Sequence, residues 1–315
     1  MPNRYLVPDE QDVILKSPEF TLRQLSYFLA VAQYQSIQRA ADALHISPPA
    51  ISAAIAHLES ALRVTLFKRR HARGLILTED GTTFAVRCRN ILQSAWDLTS
   101  SGGIHGQIRV GCLKTFSPFV IPQLVAQVRE HLPGARLNWT EGYTEYLLEA
   151  LQNGTLDLAV LYDFEIPSGI ETISVRPAPL QVVLPAGHPL SRRSSLRAAD
   201  LQGESLVLLD LPRTREYMLM AFGNASSMPR ISQTVTSLEM LMGMVAAGEG
   251  FSLLNFCPPS GLFGSGDLVS RAFESSIRQP DIVIAHSFRY QLPQVASAII
   301  EQLTKLINDI EIQTF

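Results

Sequence analysis

Apolar residues recur at helical spacing over Leu22, Leu25, Phe28, Leu29 and Ala32, with Thr21 ahead of them as an N-cap, and predict an amphipathic helix. A second helix is predicted from about Ser36 to Leu44, with Ile37, Ala40, Ala41 and Leu44 on its inner face. After the break His45-Ile46-Ser47 a third begins, with Ser47 as its expected N-cap, Pro48 in the first helical position and Ile51, Ile55, Leu58 and Leu62 as its buried stripe. Two short helices separated by about three residues make a helix-turn-helix, and the small pair Ala40-Ala41 lets them approach closely. Two short extended runs follow, around Leu66-Phe67 and Leu75–Thr78, with a basic tip between them: a wing.

Thr78 then caps a long helix with Glu79 and Asp80 in its first turn, the favourable sign for the helix dipole. Phe84, Cys88, Ile91, Ala95 and Leu98 are spaced as a coiled-coil seam over about two heptads, which one helix alone does not hide. Ser100-Ser101-Gly102-Gly103 marks the end of that helix. From Gln107 the pattern becomes strand, helix, strand, helix, strand: 108–112, 118–131, 136–139, 145–152 and 156–161, which favours a parallel sheet. Further strands are predicted at 181–184, 206–209, 232–235, 251–254 and 281–286, and helices at 213–222, 238–247 and 294–307.

Charge sharpens this division. The 315 residues carry a formal charge of −3, but residues 20–92 hold nine Lys and Arg against four Asp and Glu. A basic segment joined to an acidic remainder suits a nucleic-acid module attached to something else. The three cysteines, Cys88, Cys112 and Cys257, form no C-x-x-C pair, which argues against a disulfide framework or a zinc site and for a cytoplasmic home. Residues 1–19 lack the apolar core of a signal peptide and read as a poorly ordered extension; no run of about 18 apolar residues suggests a membrane span. No H-E-x-x-H, G-x-S-x-G or Walker pattern is present, so neither an enzyme, a cofactor nor a metal is expected.

Leu25, Phe28, Ser36, Ala40, Ala41, Leu44, Ser47, Ala50, Ser52, Ile55, Leu58, Glu59, Leu66, Phe67, Arg69, Thr78 and Gly81 stand in the order and spacing of one family. Over residues 20–92 the chain resembles the DNA-binding domain of LysR-type transcriptional regulators. The resemblance implies homodimerisation through the long helix, often as a dimer of dimers, on a pseudo-palindromic stretch of double-stranded DNA. Two departures stand out. Arg63 occupies a place where the family usually has Gly, and the outward face of the recognition helix is Pro48, Pro49, Ser52, Ala53 and Ala56. None of these makes the bidentate contacts that tell G or A apart in a major groove, so reading is expected to lean on thymine methyls, on DNA shape and on Arg73 in a minor groove. Ser36, Ser47, Ser52, Arg69 and Arg70 are candidates for phosphate contacts.

The C-terminal part resembles the effector domain of the same regulators, itself similar to type 2 periplasmic binding proteins. Its landmarks are the strand opening at 106–111, Asn153-Gly154-Thr155-Leu156-Asp157-Leu158-Ala159, His188-Pro189-Leu190 and Gly248-Glu249-Gly250-Phe251. Ligands of open α/β sheets lie beyond the carboxyl ends of strands. That selects Lys114, Thr115, Phe116 and Ser117, then Tyr162 and Asp163, the segment 210–217, and Ser237. The resemblance puts Thr115, Ser237 and Phe251 near an effector, and Arg215 offers a fork for a carboxylate. A Thr or Ser before a helix also serves simply as a cap, and Arg215 has Glu216 beside it as a partner.

The expected fold is thus mixed α and α/β: an all-α winged helix-turn-helix with a linker helix, then a two-lobed Rossmann-like effector-binding domain. The boundaries expected are 1–19 for the extension, 20–78 for the winged domain, 79–103 for the linker and 104–315 for the lobes. Lobe I takes about 104–163 and 268–315, and lobe II about 164–267. A regulator controlled by a small polar effector, an anion among the options, is the main reading. A small-molecule-binding α/β protein or enzyme with a fused nucleic-acid module is the alternative.

Overall fold

The computed structural model describes residues 18–70, 74–99, 106–223, 228–257 and 268–310. The chain divides into two compact units between Ala95 and Trp96. In the first, α1 (Leu22–Tyr34), α2 (Ile37–Leu44) and α3 (Pro48–Leu62) precede a two-stranded antiparallel wing, β1 (Phe67–Arg70) and β2 (Gly74–Leu77), and the long α4 (Glu79–Thr99). Thr21 and Gln24 form a reciprocal capping box at the start of α1. The core gathers Leu25, Phe28, Val31, Ala40, Ile51, Leu58 and Leu66, all fully buried. Ala40 and Ala41 have only a methyl group each to hold α2 away from its neighbours, as the small pair required.

Helices α1, α2 and α3 all end on a residue in the left-handed region: Gln35 at φ 54°, His45 at φ 56° and Arg63 at φ 56°. Arg63 therefore occupies a backbone conformation that glycine adopts without penalty, which accounts for the glycine that the family resemblance leads one to expect there. The turn beyond it is secured by Glu59, whose Oε1 accepts from the backbone N–H groups of Leu66 (2.7 Å) and Phe67 (3.3 Å). Gly81 lets α4 lie directly on this turn, since a Cβ there would come within 2.1 Å of the Leu66 carbonyl oxygen.

Two apolar positions depart from expectation. Leu22 is 47% exposed and Leu44 38% exposed, because each sits in a terminal turn that extends past the packed neighbours. The seam on α4 is also uneven. Phe84 packs edge-on against Phe28 at 5.0 Å and Cys88 is wholly buried, so both belong to this unit's own core. Ile91 is 41% exposed and Ala95 half-buried; the side chain of Leu98 lies outside the described residues.

Among the described residues the second unit holds three sheets, arranged in two lobes joined by two crossovers. The first sheet has the order β4-β3-β5-β13-β6, formed by β3 (Gly106–Leu113), β4 (Ala135–Gly142), β5 (Leu158–Tyr162), β6 (Ile170–Pro177) and β13 (Asp281–Ser287). Strands β3, β4 and β5 are parallel, and β13 is antiparallel to its neighbours. Helices α5 (Ser117–His131), α6 (Thr144–Gln152) and α9 (Ala296–Asp309) pack on it through the buried Leu124, Leu147 and Ile299. The Asn153–Asp157 turn is anchored to β3. Arg109 donates from Nε to Asp157 Oδ2 (3.0 Å), from Nη2 to Asp157 Oδ1 and from Nη1 to the Gly154 carbonyl (2.7 Å). Its backbone N–H also donates to Asp157 Oδ2 at 2.8 Å.

The second sheet runs β11-β7-β12-β8, from β7 (Gln181–Pro185), β8 (Ser195–Arg197), β11 (Ser252–Leu254) and β12 (Leu268–Glu274). A parallel pair, β9 (Ser205–Leu209) and β10 (Arg230–Val235), adjoins it through a bridge between Leu206 and Phe251. Gly250 makes that approach possible: its φ is +151°, and a Cβ would meet the Ser205 carbonyl oxygen at 2.1 Å. Helices α7 (Thr214–Met220) and α8 (Leu238–Ala246) complete this lobe. Of the methionines on α8, Met242 is buried and Met240 exposed.

The expected lobe boundaries at 163/164 and 267/268 need correction. Residues 170–177 form the edge of the first sheet, and 268–274 a central strand of the second. The chain instead crosses at 178–180 and 275–280, where the Ala178 N–H donates to the Pro280 carbonyl at 2.9 Å. The edge position of β6 explains why no apolar run announced it: Ile170 is its one buried side chain.

Candidate effector cavity and nucleic-acid interface

A cavity lies between the two lobes of the second unit. Five loops build it, each just past the carboxyl end of a strand. After β3 come Lys114 and Thr115, after β4 Tyr143 and Thr144, and at the end of β5 and just beyond it Tyr162 and Phe164. The other lobe contributes the segment 211–214 after β9, Tyr217 and Met218 from α7, and Asn255 and Phe256 after β11. The space is small, about 60 Å³. At roughly 10–15 Å³ per water it holds only a few solvent molecules.

One wall is a chain of aromatic rings. Phe116 stacks edge-on with both Phe256 (5.2 Å) and Tyr162 (4.9 Å), Tyr162 leans on Phe164 (5.9 Å), and Phe164 on Tyr217 (4.5 Å). Burial pushes the Tyr162 phenol well above its ordinary range, with Cys257 and Tyr217 adding to the effect. Burial also raises the Tyr217 phenol, against a hydrogen bond from Asn255 that lowers it. Both hydroxyls therefore remain protonated at neutral pH. Asn255 Nδ2 donates to the Tyr217 oxygen (3.2 Å) and to the Ala178 carbonyl (2.7 Å), and Tyr217 donates to Gln279 Oε1 (3.4 Å). Ala178 and Gln279 sit on the two crossovers, so the polar wall is bonded directly to the connections between the lobes.

Two cations face the cavity. The Lys114 ammonium lies 4.8 Å from the Tyr143 ring centre and has no carboxylate partner among the described residues. Arg213 pairs with Glu145 (2.8 Å) and Glu165 (2.9 Å).

Of the six effector residues expected from sequence, Thr115 and Tyr162 line this space. Phe116 stands behind Tyr162, fully buried. Arg215 does not line the cavity; it is paired with Asp210 at 3.2 Å. Ser237 caps α8, its hydroxyl accepting from the Met240 N–H, and Phe251 packs in the core of the second lobe against Phe222. Tyr143, Arg213, Tyr217 and Asn255 went unnoticed individually. Only the rule that ligands gather beyond strand ends reached the segment containing Arg213 and Tyr217.

In the first unit, Pro49, Ser52, Ala53 and Ala56 are exposed along one side of α3, and Pro48 is half-buried. Ser47 precedes the helix without a side-chain capping bond, whereas the Ser36 hydroxyl accepts from the Arg39 N–H. Ser36, Gln38 and Arg69 share an open groove between the start of α2 and the wing. Arg73 and the side chain of Arg70 lie outside the described residues.

A winged helix-turn-helix and a two-lobed α/β module with a cavity between its lobes define a class: ligand-responsive regulators of transcription. Two family models match, "Bacterial regulatory helix-turn-helix protein, lysR family" over residues 22–82 and "LysR substrate binding domain" over 101–307. The chain belongs to the LysR family of transcriptional regulators, which bind DNA and respond to small-molecule effectors. It is 29% identical over 239 residues to the "DNA-binding transcriptional dual regulator OxyR" of Escherichia coli (strain K12), spanning 74% of this chain and 78% of that protein. Among solved structures, a full-length single-residue variant of OxyR from Pseudomonas aeruginosa superposes with a TM-score of 0.69 at 27% identity, covering 93% of this chain and 99% of that one. A putative LysR family regulator of Pseudomonas aeruginosa, PA01 protein, gives 0.61 at 30% identity, covering 92% and 99%.

Proposed function

We propose that the cavity between the lobes is the effector site, and that its ligand is a small anion with a flat apolar body. The observation that carries this reading is the Lys114 ammonium, presented at the cavity without a carboxylate of its own among the described residues, beside a wall of tyrosine and phenylalanine rings. An anion bound there touches Tyr217 and Asn255, which are bonded to both crossovers, and so changes the angle between the lobes. The protein works as a homodimer or homotetramer in the cytoplasm on a pseudo-palindromic operator, and regulates without catalysing a reaction. Ser36, Ser47, Ser52 and Arg69 hold phosphates, while the small outward face of α3 meets thymine methyls.

Several relatives are named as hydrogen peroxide-inducible genes activators, so thiol oxidation is the competing reading. The thiols here argue against it. Cys88, Cys112 and Cys257 are all buried, and burial pushes Cys88 and Cys257 up to about 12 and Cys112 higher still. The thiolate is the form that reacts, and these groups keep their protons at neutral pH. The deciding experiment is fluorescence anisotropy on the DNA upstream of the gene and on a shuffled duplex, at two salt concentrations, with panels of carboxylates and with peroxide. Carboxylates that change specific affinity support the reading; a response to peroxide alone refutes it.

A further inference from the structure

We infer that Arg213 is a latch that ties the two lobes together over the cavity, and that an anionic effector opens it by taking Arg213 from its two carboxylates. The second clause rests on the reading of the cavity as an anion site; the first does not. Arg213 follows β9 in the second lobe, whereas Glu145 on α6 and Glu165 after β5 belong to the first. Its Nε reaches Glu145 Oε1 at 2.8 Å and its Nη1 reaches Glu165 Oε2 at 2.9 Å, so one guanidinium spans the cleft with two partners on the far side. Arg213 also lines the cavity, which puts the guanidinium within reach of whatever enters.

Three further features fit a closure that is made to be released. Arg213 and Glu165 both hold left-handed backbone, at φ 63° and 44°, a conformation that costs a non-glycine residue and that the ion pair helps to hold. The second oxygen of Glu145, Oε2, is shielded from water and has no hydrogen-bond partner among the described residues, a cost that opening the cleft removes. The partners are partly solvated, with side-chain exposures of 39% for Arg213, 42% for Glu145 and 79% for Glu165. Pairs this exposed hold weakly, so a ligand's differential affinity is large enough to break them.

The test uses the full-length protein, with benzoate as the anionic probe and benzyl alcohol as its neutral counterpart. Hydrogen–deuterium exchange follows the amides around Thr144, Tyr162 and Asn255 without ligand, and calorimetry measures probe binding. In Glu145→Gln/Glu165→Gln, and separately in Arg213→Gln, exchange at the cleft is expected to quicken about fivefold, as two weak pairs are lost. Benzoate is expected to bind about fivefold more tightly to the double variant, which frees Arg213, and at least tenfold more weakly to Arg213→Gln. Unchanged cleft exchange in the double variant, at an unchanged melting temperature, overturns the latch. Benzoate binding more tightly to Arg213→Gln than to the parent overturns the competition. Faster exchange in both variants with no benzoate uptake by any protein supports the latch and counts against the cavity as an anion site.

Discussion

Replacing Asp157 by Asn and by Ala separates two jobs done by one carboxylate. Asp157 receives the Arg109 guanidinium on both oxygens and, on Oδ2, the Arg109 backbone N–H as well. Its side chain is 10% exposed and that of Arg109 20%. Asp157→Asn keeps an oxygen for the backbone N–H and removes the charge. Hydrogen bonds to charged groups contribute about 1.5–3 kcal/mol, and slight exposure keeps the loss below the ~3–5 kcal/mol of a fully buried broken pair. A loss of about 2 kcal/mol is expected, or roughly 4–8 °C in Tm for a unit of this size. Asp157→Ala also orphans the Arg109 N–H, which adds about 1–3 kcal/mol. Trp139 lies on β4 of the second unit and Trp96 on α4 at the boundary between the units, so intrinsic fluorescence during heating, in a Trp96→Phe background, reports on the second unit. If Asn and Ala lower the transition equally, the backbone bond contributes nothing. If both leave it within about a degree, the turn is held by packing and the assignment of the carboxylate is wrong.

Three other outcomes follow from the same physics. Arg63→Gly relieves the left-handed end of α3 and should stabilise the first unit by about 1 kcal/mol, measured as slower amide exchange in α1 and α3; a destabilised variant would mean that Arg63 makes a contact outweighing its backbone cost. Arg69→Ala, on the groove shared with Ser36, should weaken binding to specific and shuffled duplexes alike and lower the salt slope by about 1, seen in anisotropy titrations at several salt concentrations. Ile91→Glu places a charge on the exposed part of the α4 seam and should shift the protein toward monomer at micromolar concentration, read by sedimentation velocity, whereas Cys88→Ser at the buried end should lower stability and leave the assembly state alone.

Much of the first unit was legible without coordinates because its determinants are local. Thr21 as a cap, the alanine pair at 40 and 41, and proline at the start of α3 each act within a turn or two of the chain. The alternation of strands and helices from residue 106 to 162 was legible for the same reason: each buried strand is a short apolar run and each helix shows one apolar face. Glu59 was visible as a matching residue but not as the acceptor for the turn before the wing, since its partners lie seven and eight positions away.

Sequence by itself determined the family, the order of the two modules, and the side of each strand on which a ligand would gather, because hydrophobic period, caps and strand polarity are properties of contiguous residues. Tertiary structure alone decided where the lobes exchange chain, which of the polar groups near strand ends face the cavity, and what holds them there. Arg215 and Arg213 are two residues apart and chemically identical. One turns to Asp210 on its own lobe and the other reaches across the cleft to Glu145 and Glu165, and the difference is set by a left-handed backbone at residue 213 and by neighbours that the chain brings in from far away.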